Sequence, residues 1–230
     1  MRSTRIFCLL LCVLILLPLG TACANERYEL LYEIEQNGLT FCVRGTNGRV
    51  RQLVVKEGDE VIWAKGVKTD RRMGKIDDTY GLLVQDLDFD GYDDILIATA
   101  MDGDLITYDA WVRVGEKPQY NRHEELSGRC NTRADARLEA IFTFEKTTEA
   151  RGDNAYLRTE KATKYLWQDG KLVPDTYAAI HYYSDGERTP YCYSVAYYDE
   201  ELGKFLDSSD AWLTEEEYES ADWSFLYYFK

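Results

Sequence analysis

Asp86-Leu87-Asp88-Phe89-Asp90-Gly91-Tyr92-Asp93-Asp94 decides how this chain is read. Carboxylates at loop positions 1, 3, 5 and 9, with Gly at 6, suit calcium. That ion takes six to eight hard oxygens at about 2.3–2.6 Å, and a tight turn is the shortest backbone that aims alternate side chains at one centre. Gly91 supplies the positive φ of such a turn at no steric cost. The pattern assigns the carboxylates of Asp86, Asp88, Asp90 and Asp94 and the backbone carbonyl of Tyr92 as calcium ligands, and turns Asp93 outward. The bland alternative is an acidic surface turn. Five carboxylates in nine residues repel one another, however, unless a counter-ion sits among them.

The flanks Leu82-Leu83-Val84 and Ile95-Leu96-Ile97-Ala98 are short apolar runs bounded by turn residues, a strand signal in segments too short for helices. An EF-hand would instead place the loop between helices and a bidentate Glu at position 12, where this chain has Ile97. Residues 82–99 are therefore expected to form a calcium-binding β-hairpin. Through the run DLDFDGYDDILIATA (86–100) the chain resembles the FG-GAP calcium blades of integrin α-chain propellers and of bacterial repeat proteins.

Arg2 and Arg5 precede an apolar run from Ile6 to Leu17, broken by Pro18-Leu19-Gly20 before Thr21-Ala22-Cys23-Ala24. A basic start, a short apolar stretch and an Ala-x-Ala end describe a secretory signal peptide over residues 1–24; a membrane span needs about 20 apolar residues. Cleavage is expected after Ala24, with a lipid anchor at Cys23 as the alternative. A lipoprotein signal usually has Leu three residues before the cysteine, where Gly20 stands here. Residues 25–230 are then read as a single β-rich domain, secreted or held in the bacterial cell envelope or periplasm.

Removing residues 1–24 takes away two arginines and no acids, moving the formal charge from −14 to −16. Such a domain lacks the basic face that nucleic acid demands and is repelled by anionic membranes. Its expected partners are calcium and basic molecules. Of the six cysteines, Cys42, Cys130 and Cys192 remain after the signal. An exported protein can keep disulfides, so one bridge and one buried thiol are expected, with Cys130–Cys192 favoured because both lie near turn residues. No Cys-x-x-Cys or paired His spacing points to zinc.

The chain is expected to be all-β, mainly antiparallel, a propeller-like or sandwich-like meander with little helix outside the signal. Tyr28–Glu35, Leu39–Arg44, Val50–Lys56 and Val61–Ala64 read as strands joined by tight turns at Asn37-Gly38, Asn47-Gly48 and Gly58-Asp59. Residues 66–79 hold the one notable basic cluster, Lys68, Arg71, Arg72 and Lys75, and read as a solvated loop. Tyr108–Val114, Leu138–Glu145 and Lys164–Gln168 follow as strands, the last turned by Asp169-Gly170 into Leu172-Val173. Asp102-Gly103-Asp104 has too few carboxylates for a second ion site.

The calcium hairpin, the step Arg122-His123-Glu124-Glu125-Leu126, and later Trp167 with Asp169-Gly170-Lys171-Leu172 resemble exported proteins related to a secretion-system-associated lysozyme inhibitor. The likeness covers roughly residues 80–175. It implies a compact propeller-like β fold with one calcium loop, and a role as an inhibitor or immunity protein against a lysozyme-like peptidoglycan hydrolase. None of that family's inhibitory residues is matched here.

Residues 177–230 form an aromatic C-terminal extension. Ala178–Tyr183 and Tyr191–Tyr198 read as a hairpin turned at Ser184-Asp185-Gly186, and Thr214 with Glu217 reads as a helix cap. These aromatics are expected mainly in sheet packing, with sugar or protein binding as the alternative. No catalytic residues are assigned: His123 and His181 lack a nucleophile motif, and there is no phosphate-cradling glycine loop. A non-enzymatic exported calcium-binding interaction protein, partnered by a basic exported protein, is the reading; a carbohydrate-active or cell-wall hydrolytic enzyme is the alternative, and a structural envelope protein the third.

Overall fold

The computed structural model describes residues 27–67, 69, 81–152, 155–184 and 190–220, without the side chains of 207–209. The signal segment, the basic cluster Lys68, Arg71, Arg72 and Lys75, Asp185-Gly186 and the aromatics from Trp223 onward lie outside the described residues. Three antiparallel sheets follow one another along the chain, each a meander of sequence neighbours apart from one short strand of the second, and none closes into a barrel. The all-β antiparallel expectation holds, and the three open sheets are compatible with its sandwich-like form.

The first sheet is β1 (Glu29–Gln36), β2 (Leu39–Thr46), β3 (Arg49–Glu57) and β4 (Glu60–Gly66). Its turns are set by residues that accept positive φ: Asn37 at 49° with Gly38 at 80°, and Asn47 at 53° with Gly48 at 71°, the backbone twist that two-residue hairpins require. Alternation then buries Leu39, Phe41 and Val43 together. The second sheet is β5 (Leu82–Gln85), β6 (Asp94–Asp102), β7 (Leu105–Arg113) and β8 (Tyr120–Arg122), with β9 (Arg129–Cys130) also on β7. The third is β10 (Arg133–Asp135), β11 (Ala140–Ala150), β12 (Tyr156–Gln168), β13 (Lys171–Ser184), β14 (Tyr191–Asp199) and β15 (Lys204–Leu213), followed by helix α1 (Glu215–Ser220).

One large core draws on all three sheets, including Phe41, Val43 and Leu53 from the first, Leu82, Ile95, Leu96, Ile97 and Tyr108 from the second, and Ile141, Tyr165 and Leu172 from the third. Each fully buried aliphatic or aromatic side chain there contributes about 1.5–3 kcal/mol. A second, smaller core of Phe144, Ala162 and Ile180 lies within the third sheet, flanked by Phe142, Tyr182, Tyr193 and Tyr218. Tyr218 of α1 stacks on Tyr191 at 4.1 Å between ring centroids, and its hydroxyl shares a hydrogen bond with that of Tyr182. The cap of α1 is as expected: Glu217 N donates to Thr214 Oγ1, and the Glu217 carboxylate accepts from Thr214 N at 2.8 Å.

Two expectations need correction here. β11 and β12 run well past Leu138–Glu145 and Lys164–Gln168, pairing from Ala140↔Leu166 out to Ala150↔Tyr156. Beyond the core their side chains are largely polar, among them Thr147, Glu149, Arg158 and Thr159, so no apolar alternation marks these arms as strands. The Cys130–Cys192 bridge is absent: Cys42, Cys130 and Cys192 are all free thiols. Cys130 sits opposite Thr107 in the second sheet, whereas Cys192 lies in β14 of the third, between His181 and Trp212. Nearness to turns in sequence says nothing of which sheet receives each strand.

Candidate metal centre

The loop between β5 and β6 is shaped by its own carboxylates. Asp86 Oδ1 accepts from Asp90 N at 3.1 Å and Oδ2 from Gly91 N at 2.9 Å, while Asp90 Oδ1 accepts from Tyr92 N at 2.9 Å. Gly91 takes the expected positive φ, 88°. Phe89 does so too, at 60°, a conformation that costs a non-glycine residue roughly 1–2 kcal/mol; its ring packs against the main core, which offsets that cost. Leu87, between two acidic positions, is fully buried.

Carboxylate oxygens of Asp86, Asp88 and Asp94 lie within 4.8 Å of one another. Two oxygens that each lie about 2.4 Å from one calcium ion stand no further apart than about 4.8 Å, so the three meet the spacing that a shared ion requires. Asp88 Oδ1 is buried and has no hydrogen-bond partner, the state of an oxygen whose natural partner is a cation. Asp94 is completely buried. Its two oxygens accept from Leu87 N and Arg113 N, each at 2.7 Å. Burial, aided by the charges of Asp88 and Asp90, nonetheless pushes its carboxyl up to about 8. Asp88 is pushed up to about 6, first by burial and then by Asp90. Like charges held in a partly dry site call for a cation or protons.

Asp90 does not join this group of three among the described residues; its hydrogen bond shapes the turn. The Tyr92 ring is held under the Arg113 guanidinium, 4.1 Å from the ring centroid. Asp93 does not point outward as expected. It is 7% exposed and accepts from Gln36 Nε2 at 2.6 Å and Asn37 Nδ2 at 2.9 Å. The pleat that sends Asp94 inward sends Asp93 to the opposite side, and that side is occupied by the β1–β2 turn.

The loop is tied to all three sheets. Asp93 reaches the first and Asp94 reaches β7 of the second, while the Leu87 carbonyl accepts from Trp167 Nε1 of the third at 2.5 Å. Gln85 adds a link, accepting from Ala134 N at 3.0 Å. The Trp167 ring rests edge-on against His123, whose Nδ1 accepts from Leu126 N; burial lowers the pKa of His123. Gln36, Asn37, Arg113 and Trp167 were not singled out as site residues. The Asn-Gly turn signal located Asn37, but nothing local says that its amide meets Asp93.

No protein-family model matches the chain, and no curated protein does. A solved structure described as a Xanthomonas type IV secretion system related protein aligns over 77% of this chain and 92% of its own, at 14% identity and a TM-score of 0.43. Among the described residues, no helix is long and apolar enough to cross a membrane.

Proposed function

We propose that the protein is a non-enzymatic calcium-binding interaction domain of the bacterial cell envelope or exterior, in which the ion is structural. Asp86, Asp88 and Asp94 would hold it, and the Asp90 carboxylate and Tyr92 carbonyl are the further donors that the sequence pattern supplies. Calcium offers hard, flexible coordination and a charge that compensates the buried carboxylates. The observation that carries this reading is the orphaned, buried Asp88 Oδ1 in a cluster with the fully buried Asp94. Because the same loop contacts all three sheets, an ion bound there stabilises their mutual packing. Ligand binding to the native state alone adds about 2.7 kcal/mol when calcium stands a hundredfold above Kd. Calorimetric titration with calcium, and melting with and without chelator, test it. An Asp88→Ala, Asp90→Ala double variant that responds to calcium as the parent does places the site elsewhere.

The partner in this reading is a basic exported protein, with a lysozyme-like peptidoglycan hydrolase the best single choice. The resemblance in residues 80–175 supports the class, and the acidic charge gives a physical reason, since opposite charge speeds encounter and disfavours acidic competitors. Peptidoglycan hydrolysis by lysozyme-type enzymes, with and without the protein, tests it. Stoichiometric inhibition that survives moderate salt supports the inhibitor role, and sugar release by the protein alone would replace it with a hydrolase.

A further inference from the structure

The outermost strands of the three sheets are not alike. β5, β8 and β10 are only three or four residues long. β1 carries exposed Glu29, Glu33 and Glu35 and an irregularity between Leu30 and Tyr32, and β4 carries exposed Glu60 and Lys65. Short length, charge and bulges are the means by which sheets protect their open edges. β15 is ten residues long and among the described residues pairs on one side only, with β14. A bulge between Val195 and Ala196 leaves Ser208 without a register partner. Beyond it, Ser209 to Leu213 is a regular open edge holding Trp212, which is 70% exposed.

Charge around this edge is one-sided. Residues 199–220 contain nine acids and one base, Lys204. Glu200 and Glu201 at one end, Asp210 within the strand, and Glu215, Glu216 and Glu219 at the other end are all exposed. None of them forms an ion pair with a described residue.

We infer that the Ser209–Leu213 edge of β15 takes an extended, lysine- or arginine-bearing segment of the partner protein as an added strand. The open backbone groups supply pairing, Trp212 supplies an anchor, and the flanking acids select a basic segment and repel a second copy of this acidic chain. The inference rests on the proposed basic partner and names where that partner docks.

The test titrates the calcium-loaded protein with a ten-residue peptide alternating Lys and Thr, and with its Glu-for-Lys counterpart, and follows backbone hydrogen exchange. The Lys peptide is expected to bind and to slow exchange in Ser209–Leu213, while the Glu peptide does neither. Trp212→Ala is expected to weaken binding about tenfold or more, and Ala211→Lys, which guards the exposed edge with a positive charge, to weaken it as well. Unchanged melting temperatures show that both variants fold. Binding without protection of β15, or equal affinity for Trp212→Ala, overturns the edge assignment and leaves the basic partner standing elsewhere. No binding of the Lys peptide at low salt overturns the edge assignment, and the hydrolysis assay decides the basic partner independently. Self-association that protects β15 without peptide overturns the inference in favour of a second copy.

Discussion

The acidic loop and the outer half of the third sheet hold themselves together by different physics. The loop sits against the main core, and three of its buried groups are matched to donors on distant parts of the chain, Asp93 to the β1–β2 turn, Asp94 to β7, and the Leu87 carbonyl to Trp167, while Asp88 Oδ1 has no such partner. Strands β14 and β15 with α1 rest on local pairing and on rings that touch near neighbours, such as Tyr177 with Phe205 and Tyr191 with Tyr218. A buried polar group left unmatched costs the full desolvation of that group, whereas losing one contact from an exposed aromatic costs little. Damage in the loop is therefore expected to spread to all three sheets, and damage at the far strands to stay local.

The largest effect is expected from Asp94→Ala. In the calcium-loaded protein, where Asp94 is ionised, it strips the two backbone donors Leu87 N and Arg113 N of a charged acceptor, each bond worth about 1.5–3 kcal/mol, so a loss of about 3–6 kcal/mol in urea unfolding is the expectation. Hydrogen exchange should quicken in the first and second sheets together. Quickening confined to β5–β6 would break the contrast just drawn.

Asp88→Asn sharpens it in the other direction. Removing one buried negative charge is expected to raise the melting temperature in chelator and to abolish the gain of about 2–3 kcal/mol that saturating calcium gives the parent. A variant less stable than the parent in chelator would mean that Asp88 carries structure on its own, without an ion.

Next comes Asn37→Gly, which keeps a residue tolerant of positive φ in the β1–β2 turn but deletes the donor to Asp93. About 1 kcal/mol is the expected cost, and Asp93→Asn in the same background should add little if the two act as a pair.

A pH effect of smaller size is expected at His123. Burial lowers its folded pKa below the ordinary 6.5, so the unfolded chain binds the proton more readily. Stability tied to this residue is present above about pH 6.5 and is lost as pH falls below it. With calcium saturating the loop carboxylates, the stability difference between parent and His123→Gln should shrink or reverse from pH 7.5 to 5.5. A pH-independent difference would remove His123 from the account. Smallest of all, Trp212→Ala is expected to change folding stability by no more than about 0.5 kcal/mol; a larger loss would show that the outer edge of β15 is already covered by the fold.

Much was legible because it was local. Apolar alternation marked the strands of the first sheet, Asn-Gly pairs marked their turns, Thr214 and Glu217 marked the cap of α1, and the alternate aspartates marked the loop. Each signal acts over a few residues, because turn φ, pleat period and capping are properties of short backbone. The outer arms of β11 and β12 escaped notice for a related reason: both faces there carry polar side chains, so periodicity is silent and pairing alone makes the strand.

The sequence by itself determined an antiparallel β chain with an acidic turn built to gather carboxylates, since composition, alternation and turn chemistry suffice for that. Only the tertiary structure decided that Asp93 faces inward to Gln36 and Asn37, that Asp90 shapes the turn and stays out of the group of three, and that Cys130 and Cys192 lie in different sheets. Those outcomes depend on which residues far apart along the chain become neighbours. That is settled by the packing of three sheets around one core, and no stretch of sequence carries it alone.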